Sequence, residues 1–217
     1  MNYTAIVIAA GLSSRMREFK PLLDIGGKPA LLLLLDTIRS AGIENIVVVT
    51  GYEKERVETV VDNYQTKGDV PCVFKTKGDV PCVLKDCLII YNADYESGMF
   101  SSVRTGINAA LGAQASLLFP ADVPLVSSET IRGLVAAYEK GSPSRFAVPV
   151  YEGRNGHPLL IPQKYYDEIL DYSGEGGLKG VRSRYDAEML RYPVNDIGCV
   201  LDMDTPDDYE RILEYIK

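Results

Sequence analysis

The sequence predicts an α/β protein, with a mixed but mostly parallel sheet and helices on both of its faces. Two features near the start carry that reading. Ile6-Val-Ile-Ala-Ala10 and the run from Ile43 to Thr50 are short, continuous apolar stretches, the pattern of strands covered on both sides. A helical pattern follows each, so the chain opens as strand, loop, helix, strand, helix, an order that favours parallel strands joined by crossovers. Hydrophobic residues make up 46% of 217, and no Pro/Gly/Ser-rich linker divides them. One domain over residues 1–217 with a sizeable core is therefore expected.

Gly11 ends the first strand, and Leu12, Ser13 and Ser14 lead into a run carrying Arg15, Arg17 and Lys20 before Pro21. Small residues after a strand let backbone N–H groups approach an anion, and cationic side chains close over it. The pattern is neither G-x-x-x-x-G-K-[ST] nor G-x-G-x-x-G. It reads as a triphosphate-gripping loop; the alternative is an ordinary turn with solvated charges. Ala30 to Ile38 follow as a buried helix, with Pro29 as a favoured first helical residue and Gly42 as a stop. Glu53 to Tyr64 read as a charged helix that turns Val57, Val60 and Val61 inward.

The decapeptide Thr66–Lys75 is then repeated as Thr76–Lys85, with Phe74 exchanged for Leu84. Seen only twice, it is no solenoid and reads as a tandem duplication inserted in a surface loop or hairpin at about 66–85. Leu88 to Tyr91 form a third strand, and the spacing of Val103, Ile107 and Leu111 predicts a helix from near Ser101. Ser101 and Ser102 suit either helix capping or the presentation of hydroxyls to a nucleotide. Ser116 to Phe119 form a fourth strand, and Ser127 to Lys140 the next helix. Strands at Phe146–Tyr151 and Pro158–Ile161 flank a loop through Asn155, Gly156 and His157. A short helix at 164–170 and a glycine-rich connection at 174–180 lead to another helix around Val181–Tyr185. Met189 to Pro193 form an edge strand, and Asp207 to Ile216 a last helix capped by Thr205 with Pro206 at its first position.

The net charge of -7 argues against nucleic acid or an anionic membrane as partner. An anionic substrate needs a local positive pocket, which Arg15, Arg17, Lys20 and Lys28 are expected to supply. The start shows no leader pattern, and the longest apolar block, Ala30 to Leu35, is too short to span a bilayer. Cys72, Cys82, Cys87 and Cys199 show no C-x-x-C and no companion histidines, so reduced thiols in the cytoplasm are expected.

Asp122 follows a buried strand at the end where open α/β sheets bind ligands, and Asp202 and Asp204 stand just before a helix. Two aspartates from distant strand ends suit Mg²⁺, which takes few carboxylates and completes its shell with phosphate oxygens; the alternatives are a turn residue before Pro124 at Asp122 and a helix-start charge at Asp204. Asp69 and Asp79 repeat the D-V-P string of Asp122 but follow Thr-Lys pairs, so Asp122 is the expected ligand. His157, the only histidine, either shapes an acceptor pocket with Asn155 and Gly156 or is a plain loop residue.

The strings AAGLSSRM then KPLL, GMFSSVRTGI, FPADVP, GRNGHPLLIP and DMDTPDDY, in that order, resemble the MobA-like nucleotidyltransferases. The likeness is greatest to their molybdenum-cofactor cytidylyltransferase branch. It implies a Rossmann-like fold of the nucleotide-diphospho-sugar transferase type and Mg²⁺-dependent transfer of a nucleoside monophosphate to a phosphate-bearing acceptor, with release of pyrophosphate. It also implies that Ala9, Ala10, Gly11, Leu12 and Ser13 bind the nucleotide, with Arg15 and Lys20 on its phosphates. Asp122 and Asp204 would hold the metal, and Ser101 and Ser102 would lie by the base or ribose. The AAG form of the loop resembles the CTP-using members, with molybdopterin cofactor as acceptor and a molybdoenzyme or insertion chaperone as partner. The chain departs from the family at Glu18-Phe19, where a glycine is common, and at the duplicated decapeptide. Rival readings are a sugar-phosphate or methylerythritol-phosphate nucleotidyltransferase and a non-catalytic nucleotide-binding chaperone.

Overall fold

Strand β1 (Tyr3–Ala9) is buried at all seven positions because it lies mid-sheet with helices above and below. The computed structural model describes residues 2–12, 16, 18–66, 87–141 and 143–216. Ser13, Arg15, Arg17, Cys72, Cys82, Asp69, Asp79 and nearly all of the duplicated decapeptide lie outside these residues. The remaining strands are β2 (Asn45–Thr50), β3 (Leu88–Tyr91), β4 (Ala115–Pro120), β5 (Ala147–Tyr151), β6 (Arg154–Asn155), β7 (Leu159–Pro162) and β8 (Leu190–Pro193). They form one sheet in the order β3-β2-β1-β4-β7-β5-β6, with β8 paired to β5. β3, β2, β1 and β4 are mutually parallel, whereas β7 runs antiparallel to β4 with Leu118 opposite Leu159. That reversal brings the residues before β7 to the edge where β1 and β4 end.

Side chains alternate across β1 and so feed two cores. Tyr3, Ala5, Val7 and Ala9 pack with α1 (Ala30–Ser40), α2 (Lys54–Thr66) and α4 (Ser128–Gly141). Ile6 and Ile8 face the other way, toward α3 (Met99–Ala109), α5 (Tyr166–Asp171) and α6 (Gly177–Ser183). The expected helices on both faces are therefore present. A third cluster of Leu23, Ile25, Ala30, Met203 and Ile212 docks α7 (Pro206–Tyr215) beside the segment that follows β1.

Four local expectations need correction. Pro29 is the N-cap of α1 and not its first residue. α3 begins at Met99, capped by Gly98 at φ 111°, so Ser101 and Ser102 sit inside the helix and are not caps. The segment at 164–170 divides into a 3-10 turn, Gln163–Tyr165, and α5. α6 starts within the glycine-rich connection because buried Val181 and partly buried Leu178 anchor it to the second core, overriding weak local propensity.

Candidate active site

The chain after β1 returns to the sheet edge through Lys20. Phe19, Lys20 and the 3-10 turn Lys20–Leu22 are held by Leu22 N–H donating to the Phe19 carbonyl (3.0 Å) and Leu23 N–H to that of Lys20 (3.1 Å). Phe19 is buried with its ring edge-on to Tyr52, 6.0 Å between centroids, so the Glu18-Phe19 departure from the family pattern places a packing residue there. From this anchored turn Lys20 Nζ donates to Asp204 Oδ1 at 2.6 Å and to Asp122 Oδ2 at 3.4 Å. Its side chain is only 12% exposed, and an ammonium so covered needs carboxylates beside it.

Each carboxylate stands on fixed backbone. Ala121 N–H donates to the Ile8 carbonyl (3.0 Å), which extends the β1–β4 pairing to the residue before Asp122. Met203 N–H donates to the Asp122 carbonyl (2.9 Å), tying the two acidic segments together. Directly after Asp204, Thr205 and Asp208 form a reciprocal capping box at the start of α7. The sequence-based expectation of Thr205 as cap holds, and its effect is to fix the residue that precedes it.

A cleft of about 220 Å³ opens along this edge, lined by Ala9, Ala10, Gly11, Leu12, Lys20, Ser102 and Asp122 together with Tyr95, Glu96, Gly98 and Met99. A Cβ built on Gly11 would meet nothing within 4 Å, so the glycine leaves room toward the cleft. Gly51 does the opposite work. A Cβ there would stand 2.6 Å from Tyr95 Cβ and 2.9 Å from Ala10 Cβ, so its absence lets the Tyr95 wall close against the loop. Asn92 Nδ2 donates to Ser102 Oγ (2.9 Å) and Ser101 Oγ (2.8 Å). Ser102 faces the cleft, whereas Ser101 Oγ donates back to the carbonyls of Asp94 and Gly98 and is not among the lining residues. Asn92, Tyr95 and Glu96 were not singled out from the sequence. The available signal was an asparagine at the end of a strand, nine and ten residues before paired serines.

Lys28 does not join the cationic cluster. Gly26 (φ 64°) and Gly27 (φ 91°) reverse the chain, and Lys28 pairs with Asp36 of α1 and sits 4.9 Å from the Tyr64 ring centroid. Among the described residues the cleft's cation is thus Lys20.

Asn155, Gly156 and His157 stand at the same sheet edge without lining the cleft. Asn155 pairs with Val150, Gly156 N–H donates to the Pro149 carbonyl (2.8 Å), and His157 N–H donates to the Cys199 carbonyl (2.8 Å). Burial, with the nearby Arg182 charge second, pushes the His157 imidazole down to about 4 against the opposing effect of Asp202. At neutral pH it is uncharged, which removes it as a cation for an acceptor phosphate. Cys199 is a buried free thiol, and Cys87 is buried as well.

Among the described residues no three His, Cys, Asp or Glu side chains gather to hold a metal. Asp122 and Asp204 nevertheless converge on one cation, the ammonium of Lys20. A site of two carboxylates that already balances a positive charge fits Mg²⁺ that draws its other ligands from phosphates. No described helix is long and apolar enough to cross a membrane.

The chain is 23% identical over 207 residues to the molybdenum cofactor cytidylyltransferase of Escherichia coli (strain K12), covering 94% of this chain and 92% of that protein. A nucleotidyl transferase from Methanothermobacter superposes with a TM-score of 0.77 at 20% identity, over 98% of this chain and 96% of that one. A Mycobacterium tuberculosis protein solved in complex with manganese superposes with a TM-score of 0.68 at 23% identity, over 99% of both chains. The model of the MobA-like NTP transferase domain matches residues 5–189, and by that match the chain belongs to the MobA-like NTP transferase family.

Proposed function

We propose that the protein is a Mg²⁺-dependent cytidylyltransferase that moves CMP from CTP onto the phosphate of an acceptor such as molybdopterin cofactor, releasing pyrophosphate. The observation that carries this reading is the placement of Lys20 between Asp122 and Asp204 at the mouth of the loop-lined cleft. The loop Ala9–Leu12 offers backbone N–H groups to the triphosphate, and Ser13 and Arg15, the next candidates in sequence, lie outside the described residues. Ser102, whose oxygen already accepts from Asn92, has its hydroxyl proton to donate toward the base or ribose. The name of the Escherichia coli relative supports CTP as donor and the molybdenum cofactor as acceptor.

In the reaction an ionised acceptor phosphate oxygen attacks the α-phosphorus in line. The new P–O bond forms as the bond to the β-phosphate bridging oxygen breaks, and that electron pair leaves with pyrophosphate. A phosphate monoester already ionised at neutral pH needs no general base, which agrees with an uncharged, buried-edge His157. Lys20 neutralises charge building on the triphosphate, and the anchored turn Lys20–Leu22 fixes the base of its side chain at the cleft. Asp122 and Asp204 would hold the metal, which when bound polarises the α-phosphoryl group and screens its charge.

The test is pyrophosphate release with CTP, GTP, ATP and UTP against molybdopterin cofactor, methylerythritol phosphate and a sugar 1-phosphate. Turnover with CTP and the molybdenum cofactor is expected. Turnover only with GTP, or only with a sugar phosphate, overturns the assignment of base or acceptor. CTP binding without turnover on any acceptor favours the chaperone reading.

A further inference from the structure

We propose that Lys20 is the resident counter-ion of the metal site: a divalent cation binds Asp122 and Asp204 only after Lys20 leaves them for the nucleotide's phosphates. Metal and nucleotide therefore enter together. This rests on the reading of the cleft as a triphosphate site. The ammonium lies 2.6 Å from Asp204 Oδ1, and a divalent ion would need that oxygen at about 2.1 Å. Two positive centres cannot share one carboxylate face at such spacing without strong repulsion. Lys20 is held at one end by its anchored turn, yet its long flexible stem lets the ammonium swing. The site also offers a metal too few ligands on its own, since no third acidic, histidine or cysteine side chain joins the pair among the described residues. A triphosphate corrects both deficits at once, by giving Lys20 a new anion and by giving the metal its missing oxygens. By linkage, each ligand then strengthens the binding of the other.

The consequence has an unusual sign. Removing a residue that serves the reaction should improve metal binding by the free protein. The probe is Mn²⁺ alone, with its free fraction read by electron paramagnetic resonance on the full chain. Without nucleotide, wild type and Lys20→Arg are expected to bind weakly, and Lys20→Met roughly tenfold more tightly or better. A non-hydrolysable CTP analogue should raise the affinity for Mn²⁺ of both proteins through its added oxygens, and that of wild type by roughly tenfold more, because only there does it also draw Lys20 away. Lys20→Gln provides a second neutral variant should Lys20→Met lack a native circular dichroism spectrum. Mn²⁺ binding by the folded neutral variants that is no tighter than wild type overturns the proposal. If they bind more tightly but no nucleoside triphosphate changes the affinity of wild type, the counter-ion role stands and the triphosphate reading fails.

Discussion

Gly106→Ala tests the packing that aims the first turn of α3 at the cleft. In an open helix this substitution gains about 1 kcal/mol, because alanine loses less backbone freedom than glycine. Here the added Cβ would lie 2.3 Å from Ile6 Cγ2 and 3.3 Å from Val49 Cγ2. Ordinary carbon contacts need about 3.5–4.0 Å, and Ile6 is a fully buried β-branched residue in the central strand with little rotamer freedom. Either α3 lifts off the sheet or the strand shifts, and a contact this short puts the overpacking cost in the upper part of the usual range, about 2–3 kcal/mol. Clash outweighs propensity, leaving a net loss of about 1–2 kcal/mol and a Tm lower by roughly 2–8 °C for a chain of this size. Because Gly98, Met99 and Ser102 ride on that helix, KM for the nucleotide should rise as well. The assay is thermal unfolding beside Gly112→Ala, whose Cβ meets nothing within 4 Å and which should show no such fall. A Gly106→Ala protein as stable as wild type, or more so, would refute the reasoning.

Three further outcomes are expected. Asp122→Ala should lower turnover by roughly a hundredfold or more in a protein that stays folded, as loss of a comparable electrostatic group does; near-normal rates remove Asp122 from the mechanism. Thr205→Ala removes the capping box before α7 and should cost about 0.5–2 kcal/mol in urea unfolding, with Asp204 less firmly placed and activity reduced beyond the stability loss. The imidazole of His157 is pushed down from 6.5 to about 4 in the folded protein, so the unfolded chain takes up this proton first. Its contribution to stability is complete above pH 6.5 and is lost as pH falls from there toward 4, by on the order of 2–3 kcal/mol. His157→Gln should flatten stability over that window, and an unchanged pH profile would contradict the burial argument.

Some residues of this chain declare their place in the sequence and others do not. The strands on either side of β1 were legible because burial on both faces demands unbroken apolar runs, which few other environments do. Thr205 was legible for a local reason, since a cap acts on its own helix. Lys28 was misread because nearness in sequence to Lys20 says nothing once Gly26 and Gly27 reverse the chain between them. α6 was read too short because its stability comes from Val181 in a distant core and not from its own glycines. Within the site, the strand-end location of Asp122 could be inferred, whereas its meeting with Asp204 on Lys20 could not, since Lys20 was expected on the phosphates and the two aspartates on a metal. The grip of Asn92 on two serines showed in the sequence only as an asparagine at a strand end, because a hydrogen-bond partner nine residues away is chosen by the turn between them.

The backbone link from Met203 to Asp122 has a bearing on how the protein is made. A ribosome delivers the amino-terminal loop and Asp122 long before Asp204 and its helix emerge. A nascent chain that has reached Asp122 therefore still lacks the carboxylate that shares Lys20 with it. On the proposed mechanism, transfer therefore waits until α7 has docked and Asp204 stands beside Asp122.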